Sequence, residues 1–353
     1  MHAVLPVDLD FLVARLHGRR QDLAEGDRLD VLCRLRTVAE LARAVVPETR
    51  CASARDLQHQ LVLQTLDELT EFAQQLSGAG SRLMQWLRVR FQMENLKVLA
   101  RVFARRRSLD VARDNLVSLP ADLRLDAEAL AAADSVESFA AAVGEPLWRQ
   151  ALRQAAEIYE EEPKPIVLEA ALDHAYFGEL IQRSRALPRN ARQDSLAIAR
   201  QETDSFHLML VARGRFTYRL PPEQLAGFHV PGSAISAPRF QRMLAADTMR
   251  QVAGEAAGFV VEKVPAISAA EGENGRDLEP AILESLVWNR YLRLAHRIFR
   301  RSHMALGAVV AFAAIRRIEL ANLITLSEGI RMEIDPETIR SRLIPNDPER
   351  LRV

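Results

Sequence analysis

Cysteine is almost missing from this chain. Cys33 and Cys51 are the only two among 353 residues, and they share no metal-type spacing. No disulfide framework can be read from them, and a reducing compartment is expected. Net charge is missing as well: 47 basic and 47 acidic side chains cancel, so no global field gathers nucleic acid or an anionic membrane. No apolar run approaches the ~20 residues that span a bilayer as a helix, and the longest candidate, Met304 to Ala314, is too short. The opening residues, Met1-His2-Ala3-Val4-Leu5-Pro6, lack the basic start and apolar core of a secretion signal. Aromatics are only 6%, and glycine and proline number 15 and 16. The expectation is a soluble, cytoplasmic protein.

The residues that are present favour helix. Apolar residues make up 48%, and Leu, Ala, Arg and Glu dominate, side chains that lose little rotamer freedom in a helix. Leu9, Leu12, Val13 and Leu16, then Leu29, Leu32, Leu35, Val38 and Leu41 recur at helical spacing. Residues 55–76 continue the pattern, and Gly78-Ala79-Gly80-Ser81 reads as the end of that helix and the cap of the next. The strongest helix is expected from Arg82 to Arg106, with Leu83, Trp86, Leu87, Met93, Leu96, Leu99 and Phe103 on a broad apolar face. An acidic, alanine-rich helix is expected from Leu125 to Val143, and Pro163 and Pro165 interrupt the pattern beyond it. Further helices are expected at Leu168–Ile181, Ser195–Arg213, Ala281–Arg300 and Met304–Ser327, with a turn-rich stretch at 218–232 and a flexible loop at 268–280. No useful period-2 alternation appears, so the fold class expected is all-α.

Three stretches say nearly the same thing. Gln92-Met93-Glu94-Asn95-Leu96-Lys97 reaches Arg101 six residues after the Asn. Asp204-Ser205-Phe206-His207-Leu208-Met209 reaches Arg213 six residues after the His. Glu319-Leu320-Ala321-Asn322-Leu323-Ile324 reaches Glu328-Gly329. Asn95 and His207 are 112 residues apart, and His207 and Asn322 are 115 apart. The spacing implies one helical unit used three times, with boundaries expected at 1–120, 121–232 and 233–353.

An acid or amide at i and an Asn or His at i+3 share one helix face. As chemistry, such pairs resemble the Glu-x-x-His ligands of metal-bearing helix bundles. A helical metalloenzyme built on Asp204, His207 and Glu319 is therefore one alternative, although the amides Gln92, Asn95 and Asn322 suit iron or manganese poorly. As architecture, each Asn or His bonds to the backbone of a neighbouring element, since an unpaired buried amide costs roughly 1–3 kcal/mol. A third reading is direct contact with a partner, as in a generic helical adaptor. Arg105-Arg106-Arg107 ends the first motif helix, and Arg297, Arg300, Arg301, Arg316 and Arg317 enrich the last two, which reads as a solvated or protein-facing basic patch. The eight histidines are scattered without zinc spacing. No Gly-x-Ser-x-Gly and no phosphate-binding Gly loop occurs, so no catalytic residue and no cofactor is assigned.

The motifs carry a resemblance. Arg90-Phe91-Gln92-Met93-Glu94-Asn95-Leu96-Lys97-Val98-Leu99 resembles the Asp-x-Glu-Asn-Leu-Lys-x-Leu helix of the C subunit of bacterial and archaeal A/V-type ATPases, the counterpart of the d subunit in eukaryotic vacuolar ATPases. Leu172-Asp173 with Tyr176-Phe177 and Leu180 is similar to that family's opening of the second repeat, and Ile315 to Ile324 to its C-terminal Glu-x-x-Asn-Leu. Phe11-Leu12-Val13-Ala14-Arg15-Leu16 loosely resembles its Ala-Arg-Leu start. Gln92 stands where an Asp is usual, His207 where an Asn is, and the 268–280 loop has no counterpart. The resemblance implies three helical subdomains in a pseudo-threefold funnel. It also implies a non-catalytic part of the central stalk, joining the rotor shaft subunits of the catalytic sector to the membrane proteolipid ring for proton or other ion transport. Neither nucleic acid nor a small-molecule substrate is implied, and attachment to the inner membrane is peripheral, through the complex.

Overall fold

The computed structural model describes residues 9–113, 115–261, 278–302 and 304–346. Among them the chain is all-α; the one β-type pairing is an isolated bridge between Ala257 and Val261. The helices are α1 (Leu9–Arg20), α2 (Gly26–Leu32), α3 (Val38–Val45), α4 (Ala54–Gln75), α5 (Gly78–Ala104) and α6 (Asp110–Arg113). Then come α7 (Ala127–Ala131), α8 (Val136–Ala142), α9 (Pro146–Gln154), α10 (Ala156–Glu161), α11 (Pro165–Arg185) and α12 (Arg189–Val211). A π-helical turn at Ala212–Thr217 prolongs α12. After it lie α13 (Pro222–Ala226), α14 (Ala237–Ala245), α15 (Met249–Ala256), α16 (Pro280–Arg301), α17 (Leu306–Arg331) and α18 (Pro336–Arg342).

Local chemistry sets many of the ends. Thr37 and Glu40 form a capping box on α3, Thr248 and Gln251 another on α15, and Ser53 caps α4. Pro146, Pro222 and Pro336 stand in the first helical turn, where the missing N–H is no loss. The expected helix over Leu125–Val143 is in fact two short ones, because Ser135 exchanges cap bonds with Ser138 and restarts the helix there. The expected break at Gly78–Ser81 is also displaced. Only Leu76 and Ser77 separate α4 from α5, Gly78 takes φ +55, and Ser81 Oγ donates to the Ala73 carbonyl across the turn. Glycine alone adopts that backbone without strain. Residues 268–277 of the expected flexible loop lie outside the described residues.

The described chain forms two compact units. One holds the residues up to Arg88, Arg183–Ile198 and everything from Ser285 on. In its core α17 packs on α4, α1, α3 and α18. Phe312 meets Phe72 edge-on at 6.0 Å and Phe299 at 6.1 Å. Trp86 is buried, with the Arg183 guanidinium 4.9 Å over its ring. The other unit comprises Val89–Gln182 and Ala199–Glu284. Its core gathers Phe103, Phe139 and Tyr159, and separately Phe177, Phe206, His207 and Phe240. No described helix is long and apolar enough to cross a membrane.

Candidate functional site

The motifs sit on the long helices α5, α12 and α17, and Gln92, Asn95, Asp204, His207, Glu319 and Asn322 each bond to backbone. On α5, Asn95 Nδ2 donates to the Val117 carbonyl at 2.8 Å while its Oδ1 accepts the Val117 N–H at 3.0 Å. Both backbone groups of one residue are thus satisfied by one side chain, as a strand partner would do. One turn earlier, Gln92 Nε2 donates to the Leu123 carbonyl at 3.3 Å and Oε1 accepts the Trp148 indole N–H at 3.0 Å. Glu94 is half exposed beside Lys97.

On α17 the same device recurs. Asn322 Nδ2 donates to the Ile344 carbonyl and Oδ1 accepts the Ile344 N–H, at 2.6 and 2.8 Å. The span from asparagine to clasped residue is 22 residues in both cases. Glu319 does something its counterparts do not: its Oε1 accepts the Ala24 N–H at 2.6 Å, 295 residues back in the chain. Its other oxygen pairs with Arg316, which also donates to Glu68 Oε2 at 2.8 Å.

On α12 histidine replaces the asparagine. His207 Nε2 accepts the Val230 N–H at 2.9 Å across 23 residues. Asp204 Oδ2 and Oδ1 accept the Ala234 and Ile235 N–H groups at 3.1 and 2.9 Å. His207 is wholly buried, which pushes its pKa below the ordinary histidine value despite the nearby Asp204. Because Nε2 accepts, the neutral ring carries its proton on Nδ1, 3.7 Å from Asp204 Oδ1.

The chain beyond each motif is also alike. The helix ends in a left-handed residue: Arg106 at φ 46, Arg219 at φ 56 and Glu333 at φ 56. The next N–H reaches back to Val102, Gly214 and Gly329 carbonyls at 3.1, 2.8 and 2.9 Å, closing a Schellman-type cap. A short helix then buries one apolar side chain, Ala112, Leu225 or Ile339, and five residues later comes the clasped residue. The second copy is one residue longer before its cap, and the π-helical turn Ala212–Thr217 absorbs that residue.

The end of each motif helix is tied to the start of another long helix. Arg101 forms a two-pronged pair with Glu169 on α11, Nε–Oε1 at 2.8 Å and Nη2–Oε2 at 3.0 Å. Arg213 pairs with Glu284 on α16 at 3.2 Å. In the third position Glu328 accepts from Gln58 on α4 at 2.7 Å. Arg101, Arg213 and Glu328 each stand six residues past the motif Asn or His. Glu169, Glu284 and Gln58 each stand four residues past the first residue of their helix. Those partners escaped sequence reading, because isolated acids and amides near helix starts carry no signal until the register is known. Lys97 adds a half-buried pair with Asp173 at 3.1 Å; burial opposes its charge, but Asp173 and Glu94 hold its pKa above the ordinary value.

The basic residues divide. Arg105, Arg106, Arg107, Arg297 and Arg300 are exposed. Arg316 and Arg317 do not belong to a solvated patch: Arg316 is half-buried between Glu68 and Glu319, and Arg317 lies 4.7 Å over the Trp288 ring. Their helix faces inward there, so their charge is spent on internal partners. Among the described residues no group of three or more His, Cys, Asp or Glu is placed to hold a metal ion.

Fold and site together define an all-helical protein in which one polar fastener, holding the chain's own backbone, occurs three times. Residues 12–342 match the sequence profile of the ATP synthase (C/AC39) subunit, and the chain belongs to that family. It is 30% identical over 206 residues to the C subunit of the A-type ATP synthase from two Halobacterium salinarum strains, R1 and NRC-1. The aligned stretch covers 55% of this chain and 57% of the length of those curated relatives.

Proposed function

We propose that this chain is a non-catalytic coupling subunit of a rotary A/V-type ATPase. It would sit on the central stalk, join the rotor shaft of the catalytic sector to the membrane proteolipid ring, and lie peripherally at the membrane through those partners. In this reading residues 1–120, 121–232 and 233–353 are three helical repeats arranged as a funnel. The observation that carries it is the threefold recurrence of fastener, left-handed cap and helix-to-helix tie in a member of this family. A part that transmits torque must not yield, and fasteners that satisfy backbone groups in pairs, backed by ion-paired helix ends, favour one stiff packing. Gln92, Glu94, Asn95, Arg101, Asp204, His207, Arg213, Glu319 and Asn322 act here as structure-fixing residues.

The test is a pull-down of the tagged chain from gently solubilised membranes of its source, followed by mass spectrometry. Recovery of proteolipid and shaft subunits is expected. A chain recovered without them, from cells that express the complex, would overturn the coupling role.

A further inference from the structure

Two fasteners are built on asparagine and one on histidine, and that difference has a chemical consequence. An amide keeps its donor and acceptor at every pH between about 4 and 9, whereas an imidazole gains a proton in that range. His207 Nε2 is the acceptor for the Val230 N–H at 2.9 Å. The other ring nitrogen, Nδ1, has no hydrogen-bond partner among the described residues and lies 3.7 Å from Asp204 Oδ1. The neutral ring therefore fits, and the only nitrogen left to accept a proton is the one holding Val230.

The surroundings resist a charge. The His229 ring stacks on His207 with centroids 5.0 Å apart and planes 11° from parallel, and Phe240 closes the site at 5.0 Å. His229 donates from Nε2 to the Ile235 carbonyl at 2.9 Å, so the same loop is held by both histidines. The titratable groups facing the ring are Asp204 from its own helix, His229 from the loop and His174 from α11; α14 presents Phe240. Of these, Asp204 alone favours the cation, and it already accepts two backbone N–H groups.

We propose that His207 makes the second fastener an acid-sensitive clasp: proton uptake at Nε2 converts acceptor to donor and releases the Val230 backbone from α12, while the asparagine fasteners at Val117 and Ile344 hold. The proton comes from solvent and no other bond changes. Opening becomes easier below the pKa of the released histidine, about 6.5, by roughly tenfold per pH unit.

Hydrogen-exchange mass spectrometry on the full chain tests this, reading protection factors at pH 7.5 and 5.5. The peptide carrying Val230 is expected to lose about tenfold more protection than those carrying Val117 and Ile344. In His207→Asn, whose amide is built like the other two, the extra loss should vanish. Equal changes at all three sites would overturn the proposal, and so would an undiminished extra loss in His207→Asn. Nitrogen-15 NMR of the imidazoles in the unmutated chain gives a second reading independent of the variant. At pH 7.5 His207 should be the Nδ1–H tautomer; an Nε2–H ring would overturn the clasp.

Discussion

Gln58 Nε2 donates to Glu328 Oε1 at 2.7 Å, in the place where Arg101 meets Glu169 and Arg213 meets Glu284. Two of the three ties are ion pairs and the third is an amide–carboxylate bond, with Ser327 Oγ as a second acceptor for Gln58 at 2.9 Å. Its half-buried setting matters: the Gln58 amide holds the Glu328 carboxyl below its usual range, with Arg331 adding to the effect. A lowered carboxylate pKa stabilises the fold above the unfolded value of 4.5, and that gain is lost as pH falls through the folded value.

Gln58→Glu should turn this tie into a repulsion. Two carboxylates at contact distance are expected to lower stability by about 1 kcal/mol at pH 7. The deficit should shrink as pH falls below 4.5 and one of them takes a proton. Melting temperatures at pH 7 and pH 4 check it; a deficit constant with pH would mean the loss is steric.

Asn322→Leu removes both bonds to Ile344 and leaves its N–H and carbonyl without that partner. A loss of roughly 1–3 kcal/mol is expected. Asn95→Leu should cost a similar amount through Val117. Denaturant unfolding measures both, and an unchanged midpoint would show that the loops are held without the fasteners.

Gly329 is a matter of space. A Cβ there would lie 2.7 Å from Cδ1 and Cγ1 of Ile339. Gly329→Ala is therefore expected to destabilise by about 1–3 kcal/mol. Adding Ile339→Val, which deletes one of the two colliding carbons, should recover part of that loss despite its own small cost. Thermal unfolding of the two single variants and the double variant measures this coupling, and simple additivity would refute the contact. In the first motif the sizes are exchanged: Val102 stands at the register of Gly329, and Ala112 at that of Ile339.

Lys97→Met tests the half-buried pair. With the ammonium gone, Asp173 keeps its half-buried position without that partner, and the expected loss at pH 7 is about 2–4 kcal/mol, between the values for exposed and fully buried pairs. Burial raises the Asp173 pKa above 3.8. Losing Lys97, whose charge opposes that rise, makes the carboxyl easier to protonate in the folded than in the unfolded chain, so the variant's deficit should shrink as pH is lowered. Urea midpoints at pH 7 and pH 5 decide this; a constant deficit would show that Asp173 stays ionised.

Much of the architecture was legible in the chain. Period-3.6 patterning marks the long helices, and the spacing of Asn95, His207 and Asn322 carries the recurrence without reference to any contact. The ends were less legible. Gly78 reads as a helix stop, yet it starts α5 because φ +55 closes the two-residue turn before it. The alanine-rich stretch after Leu125 has helical propensity throughout, yet the Ser135–Ser138 cap exchange splits it. Propensity is summed over windows, whereas a cap is one side chain finding one N–H.

The helical class and the positions of the three motifs can be read from the chain, because both depend on residues close along it. The partners of those motifs were decided by tertiary structure alone. Val117, Val230 and Ile344 are clasped through backbone atoms that every residue except proline possesses, so nothing in their identity marks them. The Ala24 N–H reaches Glu319 for the same reason, from 295 residues away. Hydrogen bonds to the main chain depend on where the chain passes, and only the packed helices settle that.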